Sequence, residues 1–534
     1  MKKNEITRKF MRRFAAMFVA VVCLSQVARA DDPQGIVNSI NSVTGGYDLV
    51  ATISDNTVTV TGTLYGVPDA ESDFLTLNIN AGVTVIWQAT LSGSLSQYKG
   101  YSRGNAYSLI NISGGSGVFE VQNGGNIENT GYGRAITNNS SCTVNISGGA
   151  VNVKGKDHDK NTTIYNASTG TVNVSGGTVS GCGKSAVFGV GSSTINNAST
   201  GTINILGGTV SADGSSYTIC NSKNDNGGTI NISGGTVSAK DGTAIVNSSG
   251  GTVKIVGGIV SAKGSEKYNT TISGTKKCDM GTAIQNFGNT IISGGTISSS
   301  NGAAIRIIGG TLEISGDAKI TAASVSNENG TIYLDCGSAS TLNINGGTVE
   351  NTDSKGKVIY NPVSGSGFFM VANKNTINIS GGTILARNVA ISNGDGGNLN
   401  ISGGTISTSG TYNQTIGNGG NAKITGGIIS APANTNSPAI TNGGTLTLGG
   451  NPAITGKISV SGSGELSVIT TGHEAFTPDQ KTYTLLFKGD YGGAYAAGKI
   501  AVTNGREFLN NFKLDTPDWV LTGSTAHLAI IPAN

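Results

Sequence analysis

Several residue types are scarce in this chain. Of 534 residues, six are cysteine, nine are proline and two are tryptophan, and charged residues make up only 12%. The few cysteines lie at irregular spacings and do not form a pattern typical of a disulfide framework. The apolar content of 37% is too high for a disordered chain. The net charge of +3 is close to neutral for this length and indicates neither nucleic acid nor an acidic membrane surface as a partner.

Long hydrophobic runs are also scarce, and the clearest one lies near the start, from Phe14 to Leu24. Six basic residues precede it within the first 13 positions, and the small residues Ala28 and Ala30 follow it. This pattern predicts a signal peptide over residues 1–30 with cleavage after Ala30. The run is too short to span a bilayer, which needs about 20 residues. We therefore expect a mature protein without a transmembrane helix that is secreted or displayed on the outer cell surface.

Glycine is abundant, with 83 copies, and much of it lies in one repeated motif. Asn-Ile-Ser-Gly-Gly-Thr-Val-Ser occurs in full from Asn231 to Ser238, and variants recur from Asn111 to Gly450. The second glycines of successive motifs are 22 residues apart from Gly382 to Gly404 and 23 apart from Gly404 to Gly427. A repeat of this length buries its apolar face only by stacking on its neighbours.

Each repeat predicts three short strands. Apolar and polar residues alternate on both sides of the Gly-Gly pair, and a period of two indicates β-strands. The glycines supply the positive φ of a corner, and a third strand of the form Ala/Thr-Ile-x-Asn follows a variable loop. These third strands are Ala135 to Asn138, Thr163 to Asn166, Thr218 to Asn221, Ala244 to Asn247, Ala283 to Asn286, Ala390 to Asn393, Thr415 to Asn418 and Ala439 to Asn442. Three strands and three corners predict one coil of an all-β parallel β-helix with a rise of about 4.8 Å per coil.

Two stacked columns follow from this interpretation. The asparagines that end Ile-x-Asn are expected to stack at a corner and to satisfy backbone groups there. The apolar residues two positions before the first glycine are expected to form one core column. Its members are Ile112, Ile146, Val174, Ile205, Ile232, Ile255, Ile292, Ile314, Ile344, Ile379, Ile401 and Ile424.

Irregular spacings predict where the coils are interrupted. Gly309-Gly310 is assigned to the second corner of its coil, with Gly316-Asp317 in the regular motif position. Gaps of 37 residues from Gly258 to Gly295 and 35 from Gly347 to Gly382 predict inserted loops. These loops are Ser265 to Met280 and Glu350 to Lys374, and loops on one side of a solenoid are the usual place for binding.

The ends of the chain differ from the middle. Residues 31–110 predict an N-terminal cap, with a short helix at Ile36 to Val43, followed by irregular first coils. Residues 111–456 carry the repeats. Residues 457–534 are richer in aromatic side chains and predict a C-terminal β cap or small β domain, which an open solenoid end needs.

Ile-Ser-Gly-Gly-Thr coils of this length resemble secreted bacterial right-handed parallel β-helix proteins of the pectin-lyase-like superfamily, over roughly Asn111 to Gly456. The resemblance implies a right-handed helix but not one activity, because polysaccharide lyases, hydrolases, carbohydrate-binding proteins and adhesins share that fold. The chain departs from polymorphic membrane proteins, which pair a Gly-Gly motif with Phe-x-x-Asn, because its partner motif is Ile-x-Asn.

The strongest candidate for chemistry is a charged group after the second strand of adjacent repeats. Asp213, Lys240 and Lys263 share one offset from their glycines, and Asp241 and Glu266 lie nearby. A lyase needs several carboxylates on Ca²⁺ and a placed base, and a hydrolase needs two facing carboxylates. The sequence shows neither arrangement, so a surface ladder of ion pairs is the preferred interpretation.

Other features favour structural interpretations. Asp157 and Asp159 lie among three lysines in a charged loop, and the glycine-rich segments 224–228 and 393–397 fall on corners instead of forming tandem Ca²⁺ repeats. The five mature cysteines, Cys142, Cys182, Cys220, Cys278 and Cys336, are expected to be small residues in or near the coils, with one bridge between coils as the alternative. Tyr98, Tyr101, Tyr107 and Tyr132 are the densest aromatic group and suit either a binding surface or a packed cap.

The sequence therefore assigns no catalytic, cofactor-binding or metal-binding residues and predicts no cofactor. It predicts a non-enzymatic adhesin-like or carbohydrate-binding module whose partner is a polysaccharide or a host or cell surface. A polysaccharide lyase or hydrolase is the first alternative, and a passive structural stalk is the second.

Overall fold

The computed structural model describes residues 32–44, 49–67, 72–95, 106–155, 161–183, 192–214, 216–221, 227–264, 271–272, 275–276, 281–323, 330–335, 338–363, 373–410, 414–432, 437–479, 481–488, 495 and 497–533. Short strands dominate this part of the chain and wind as a right-handed parallel β-helix. Each regular coil contributes one strand to each of three sheets, and neighbouring coils pair in register. The predicted fold class is confirmed.

Sheet 1 holds the strands that precede the Gly-Gly corner. In Thr229–Ile232 the side chains of Ile230 and Ile232 are buried, whereas Thr229 and Asn231 face outward. The sheet starts with an antiparallel pair, and its later pairings are parallel. Its strands are Leu49–Ser54, Thr57–Val67, Thr84–Trp87, Val118–Val121, Thr143–Ile146, Thr171–Val174, Thr202–Ile205, Thr229–Ile232, Thr252–Ile255, Asn289–Ile292, Gly310–Ile314, Ser340–Ile344, Thr376–Ile379, Asn398–Ile401, Asn421–Ile424, Thr445–Leu448 and Glu465–Val468.

Sheet 2 holds the strands that follow the corner. Its typical strand, Thr236–Ala239, buries Val237 and Ala239 and turns Thr236 and Ser238 outward. The long first strand, Thr57–Val67, belongs to sheet 1 with its first half and to sheet 2 with its second. The other strands are Thr90–Gly93, Asn126–Asn129, Ala150–Val153, Thr178–Gly181, Thr209–Ala212, Thr236–Ala239, Ile259–Ala262, Thr296–Ser299, Lys319–Ala322, Thr348–Asn351, Thr383–Ala386, Thr405–Thr408, Ile428–Ser430 and Ala453–Thr455.

Sheet 3 contains all the predicted Ile-x-Asn segments. Its strands pair in parallel from the first to the last. They are Leu75–Ile79, Ser108–Gly115, Arg134–Asn138, Thr162–Asn166, Ser193–Asn197, Tyr217–Asn221, Thr243–Asn247, Ile284–Asn286, Ile305–Ile307, Gly330–Leu334, Lys357–Asn361, Val389–Asn393, Ile416–Asn418, Ile440–Asn442, Lys457–Ser461, Tyr483–Lys488 and Phe512–Leu514.

The predicted isoleucine column forms the core of sheet 1, with one correction. Register joins Ile146, Val174, Ile205 and Ile232, and each of these side chains is at most 1% exposed. Burial of each contributes roughly 1.5 to 3 kcal/mol. The assignment of Ile112 to this column is wrong, because its strand pairs in sheet 3, where Ile112 is opposite Asn138. Its motif looks like the others, but Val121 occupies that coil's place in sheet 1.

The Gly-Gly corner needs glycine for two separate reasons. The second glycine has a positive φ, for example 66° at Gly235, which side chains rarely adopt. The first glycine is needed because neighbouring coils are in close contact at this corner: a Cβ on Gly234 would lie 2.3 Å from the Leu206 carbonyl oxygen of the preceding coil. As predicted, Gly310 and Gly316 lie at the two corners of this coil: Gly310, with a φ of 69°, begins a sheet 1 strand, and Gly316, with a φ of 57°, follows that strand.

A buried asparagine ladder closes the corner between sheets 3 and 1, which confirms the predicted stack. The Asn166 amide nitrogen donates to Gly170 O at 2.7 Å and to Asn197 Oδ1 at 3.0 Å. Asn197 repeats both bonds with Gly201 O and Asn221 Oδ1. In the two coils after Asn286 the ladder position is occupied by Ile307 and Leu334, so the ladder is interrupted there. It resumes with the hydrogen bond from Asn361 to Asn393 and continues to Asn418.

The predicted insertions differ from each other. Extra residues do lie between the sheet 2 strand Ile259–Ala262 and the sheet 3 strand Ile284–Asn286, where Thr271–Ile272 and Thr275–Lys276 form an antiparallel pair. The second segment, Glu350 to Lys374, is not a single loop. It starts within the strand Thr348–Asn351 and contains the sheet 3 strand Lys357–Asn361. The 35-residue spacing therefore includes a regular third strand in addition to extra residues.

The two ends of the stack differ from the coils between them. Helix α1 (Pro33–Thr44) buries Ile36, Val37 and Ile40 in the core, and the Asp32 carboxylate accepts a hydrogen bond from Gly35 N at 2.8 Å at its start. At the other end Phe476 packs against Tyr483, Phe508 and Phe512, with ring centroids 5.0 to 5.9 Å apart. A 3₁₀ helix, Arg506–Asn511, and an antiparallel sheet of Ile500–Val502, Trp519–Ser524 and His527–Pro532 complete this end.

Parallel pairing extends on both sides of residues 111–456, from Thr57–Val67 to Phe512–Leu514. The boundaries after residues 30, 110 and 456 stay predictions, and the signal peptide lies outside the described residues.

Candidate functional site

The predicted charged group lies in an open groove on the outer face of sheet 2, which we call the sheet 2 groove. Its volume is about 490 Å³, and it crosses four consecutive coils. Three further steps of about 4.8 Å from the first coil give it a length of about 14 Å. Its lining residues are Ser211, Ala212, Asp213, Ser238, Ala239, Lys240, Ser261, Ala262, Lys263, Ser298 and Ser300.

The groove is a consequence of small side chains in a row. Register places Ser211, Ser238, Ser261 and Ser298 opposite one another on successive strands, and each hydroxyl faces outward. The alternation of the strand keeps the larger valines and isoleucines inside. The outer face is therefore flat and rich in hydroxyl groups, and the longer charged side chains stand along one margin.

Threonines of sheet 3 hold the groove strands in place. The hydroxyl of Thr194 donates to Ser211 O at 2.8 Å, and that of Thr218 donates to Ser238 O at the same distance. Both threonines are fully buried. These bonds satisfy backbone carbonyls where the sheet 2 strands end. This role was not predicted from the sequence, although the residue before Ile-x-Asn is Thr in some coils and Ala in others.

The charged margin shows one ion pair of the predicted ladder. Lys240 Nζ lies 2.8 Å from Asp213 Oδ1, and about two-thirds of each side chain is exposed. The hydrogen bond to Asp213 raises the pKa of Lys240 above its ordinary value. Lys263 follows at the same offset one coil on, Asp241 is half-buried beside Lys240, and Glu266 lies outside the described residues. The pair is exposed, so its contribution to stability is small.

The pairing of Asp213 with Lys240 determines which chemical groups this margin offers. A lysine that acts as a general base needs a lowered pKa, whereas Asp213 shifts Lys240 in the opposite direction. Among the groove's lining residues Asp213 is the single carboxylate, and it is already paired. Glycoside hydrolysis by the usual mechanism needs two carboxylates that flank the bond. The arrangement offers hydroxyl donors and acceptors and two ammonium groups to a ligand.

The other sequence candidates occupy structural positions or lie outside the described part. Asp157, Asp159 and the segment 224–226 belong to the undescribed residues. Lys154, at the start of the charged loop, pairs with Glu128 at 2.6 Å. In segment 393–397 the amide of Asn393 belongs to the asparagine ladder. Across the residues that the structure describes, no three His, Cys, Asp or Glu side chains converge as metal ligands would.

Of the cysteines, Cys142 is fully buried in the core, and burial raises the pKa of its thiol. Its sulfur lies 3.6 Å from Ile79 O and from Gly114 O, which agrees with the predicted core role. Cys182 and Cys220 are half-buried, and Cys278 and Cys336 lie outside the described residues.

The densest predicted aromatic group is only partly described, since Tyr98 and Tyr101 fall outside the described part. Tyr107 packs against the core, and Tyr132 is 39% exposed. Sequence reasoning missed a second group on the outer face of sheet 3, where Tyr333 and Tyr360 meet edge to face at 5.6 Å. Arg306 and Lys357 lie over these rings. The sequence signal for this group was a tyrosine at the outward-facing position x of Ile-x-Asn or of the equivalent segment in each strand.

None of the described helices is both long enough and apolar enough to cross a membrane.

Comparison with protein-family models finds no match, and neither comparison with curated proteins nor comparison with solved structures finds one. The fold and the groove therefore carry the functional argument.

Proposed function

We propose that this chain is a secreted or surface-exposed binding module that holds a polysaccharide along the sheet 2 groove without breaking it. The observation that carries the proposal is the row of serine hydroxyls on four consecutive coils beside Lys240 and Lys263. A ligand with many hydroxyl groups and a regular repeat is complementary to such a surface. Attachment to a host or cell surface through its glycans follows from the same binding.

Repetition is the physical basis of affinity in this proposal. Each exposed hydroxyl contributes little, because its hydrogen bond to a sugar replaces one to water. A chain that contacts several coils at once gains from effective concentration, since its second contact forms within an existing complex. Solenoids commonly bind along one extended face for this reason.

The proposed location and family rest on the sequence. The basic segment, apolar run and small residues before Asp31 support export of the mature protein. The Gly-Gly coils support a relationship to secreted bacterial proteins of the pectin-lyase-like superfamily. Because enzymes and binding proteins share that fold, the proposal of a binding protein relies on the groove, where the one lining carboxylate, Asp213, is paired with Lys240 at 2.8 Å.

The test is a paired substitution in the groove. We expect Lys240→Gln combined with Lys263→Gln to weaken binding to an acidic polysaccharide at least about tenfold, since roughly 1.4 kcal/mol of lost interaction gives that factor. The matched control is Lys254→Gln with Lys374→Gln, which removes two exposed charges outside sheet 2. Binding is measured by surface plasmon resonance against a panel of immobilised neutral and acidic polysaccharides.

Equal loss in both double variants would show that net charge, not the groove, determines binding. If the unsubstituted protein binds no polysaccharide and no cell surface, the passive stalk replaces this proposal.

A further inference from the structure

A second groove lies at the C-terminal end of the stack and shares no lining residue with the sheet 2 groove. It has a volume of about 850 Å³, and its lining comes from the sheet 2 strand Ala453–Thr455, the last three strands of sheet 3 and the residues after Leu514. We call it the terminal groove. Its polar lining includes Thr455, Lys457, Thr482, Thr484, Lys513 and Asp515.

Register builds a short charged row in this groove. Lys457 is opposite Thr484, and Thr484 is opposite Lys513, so the two lysines stand two coils apart on one face. Two coil steps separate them by roughly 10 Å along the axis. The threonine between them is half-buried and offers a hydroxyl group.

The charges in the row are not balanced. Lys457 Nζ lies 2.8 Å from Asp515 Oδ2, and both side chains are about 70% buried, so this pair is held more firmly than Asp213 and Lys240. Lys513 is exposed, and no described acidic residue forms an ion pair with it. The terminal groove therefore presents one uncompensated positive charge beside several hydroxyl groups.

The two grooves have similar compositions although they share no lining residue. Each has one lysine paired with aspartate at 2.8 Å, one further lysine and a set of hydroxyl side chains. We propose that the terminal groove is a separate binding site for an acidic sugar residue. Lys513 receives the anionic group, Thr482 and Thr484 contact sugar hydroxyls, and Asp515 accepts a hydrogen bond from a further hydroxyl.

Lys513 also has a simpler use. Its strand, Phe512–Leu514, is the last of sheet 3, and lysine on an edge strand discourages pairing with another chain. That use predicts self-association when the charge is removed. The binding site predicts a loss of ligand affinity instead, so one variant separates the two.

The experiment is isothermal titration calorimetry of the mature protein with three tetrasaccharides, one sulfated, one carboxylated and one neutral. We expect Lys513→Gln to weaken binding of an acidic tetrasaccharide at least fivefold, with Lys254→Gln unchanged and Lys513→Arg close to the original affinity. Raising the salt concentration should weaken the same binding, because exposed charges are screened. The sulfated and carboxylated arms show which anionic group is preferred.

Unchanged affinity in Lys513→Gln, equal binding of the neutral sugar, or self-association as the variant's single effect would overturn the proposal. The double variant Lys240→Gln with Lys263→Gln, which alters the sheet 2 groove alone, separates binding at the terminal groove from binding at the sheet 2 groove. Binding that survives in this variant and depends on Lys513 supports the terminal groove, whereas binding that depends only on Lys240 and Lys263 contradicts it.

Discussion

Buried polar side chains on this molecule satisfy backbone groups that the stacked coils leave without partners. Asn221 donates to Gly228 O at 2.7 Å and to Asn247 Oδ1 at 3.2 Å, and it accepts from Asn197 at 3.0 Å. A Cβ on Gly228 would lie 2.0 Å from the Asn197 amide nitrogen, so the ladder also requires glycine beside it. Because a side-chain amide can donate on one side and accept on the other, the same residue can link each coil to the next along the stack.

Removing one amide from this buried ladder should lower the free energy of unfolding more than removing one amide from the surface. Asn221→Ala leaves buried donors and acceptors unsatisfied, and about 1–3 kcal/mol is lost for each such group. Asn204, on the outer face of sheet 1, makes a matching 2.8 Å bond to Asn173, but it is half-buried and water can replace the amide. We expect Asn221→Ala to lower the thermal midpoint by several degrees and Asn204→Ala to lower it far less. Equal shifts would contradict a structural role for the buried ladder.

The strands themselves were largely predictable from sequence. A period of two with β-branched residues specified which side chains face inward, and the Gly-Gly pair specified the corner. The error at Ile112 has a physical reason, since identical Ile-Ser-Gly-Gly residues fit sheet 3 when neighbouring coils supply that register. The strand Lys357–Asn361 was missed because Val358 replaces the usual Ala or Thr. Local pattern determines the face of a strand, and pairing determines the sheet.

Strand alternation gives a direct test at neighbouring positions. Ile232 is 1% exposed between coils, so Ile232→Asp buries a charge without a partner and should destabilise the protein by several kcal/mol. Asn231 is its outward neighbour and bonds to Asn204 at 2.8 Å, so Asn231→Asp should have a mild effect. Thermal unfolding followed by circular dichroism measures both variants. Similar losses would refute the assignment of faces, since a one-residue slip exchanges them.

At the scale of the whole molecule, the stack converts single residues into rows. Asp213, Lys240 and Lys263 were predictable as neighbours because they share one offset in successive repeats, and the 2.8 Å pair confirms that reasoning. The terminal groove was not predictable, because Lys457, Thr484 and Lys513 lie where the sequence repeat has faded while strand pairing continues. Groove shape depends on which faces carry small side chains, and this follows from register across coils.

We propose that the sheet 2 groove is an extended binding surface that does not cleave its ligand. The most direct measurement titrates the mature protein with a graded series of oligosaccharides while released reducing ends and unsaturated uronates are monitored, with and without Ca²⁺. We expect affinity to rise with oligosaccharide length until the ligand spans the coils from Ser211 to Ser300, and we expect no product to form. Affinity independent of length, or turnover that Asp213→Asn abolishes, would contradict it.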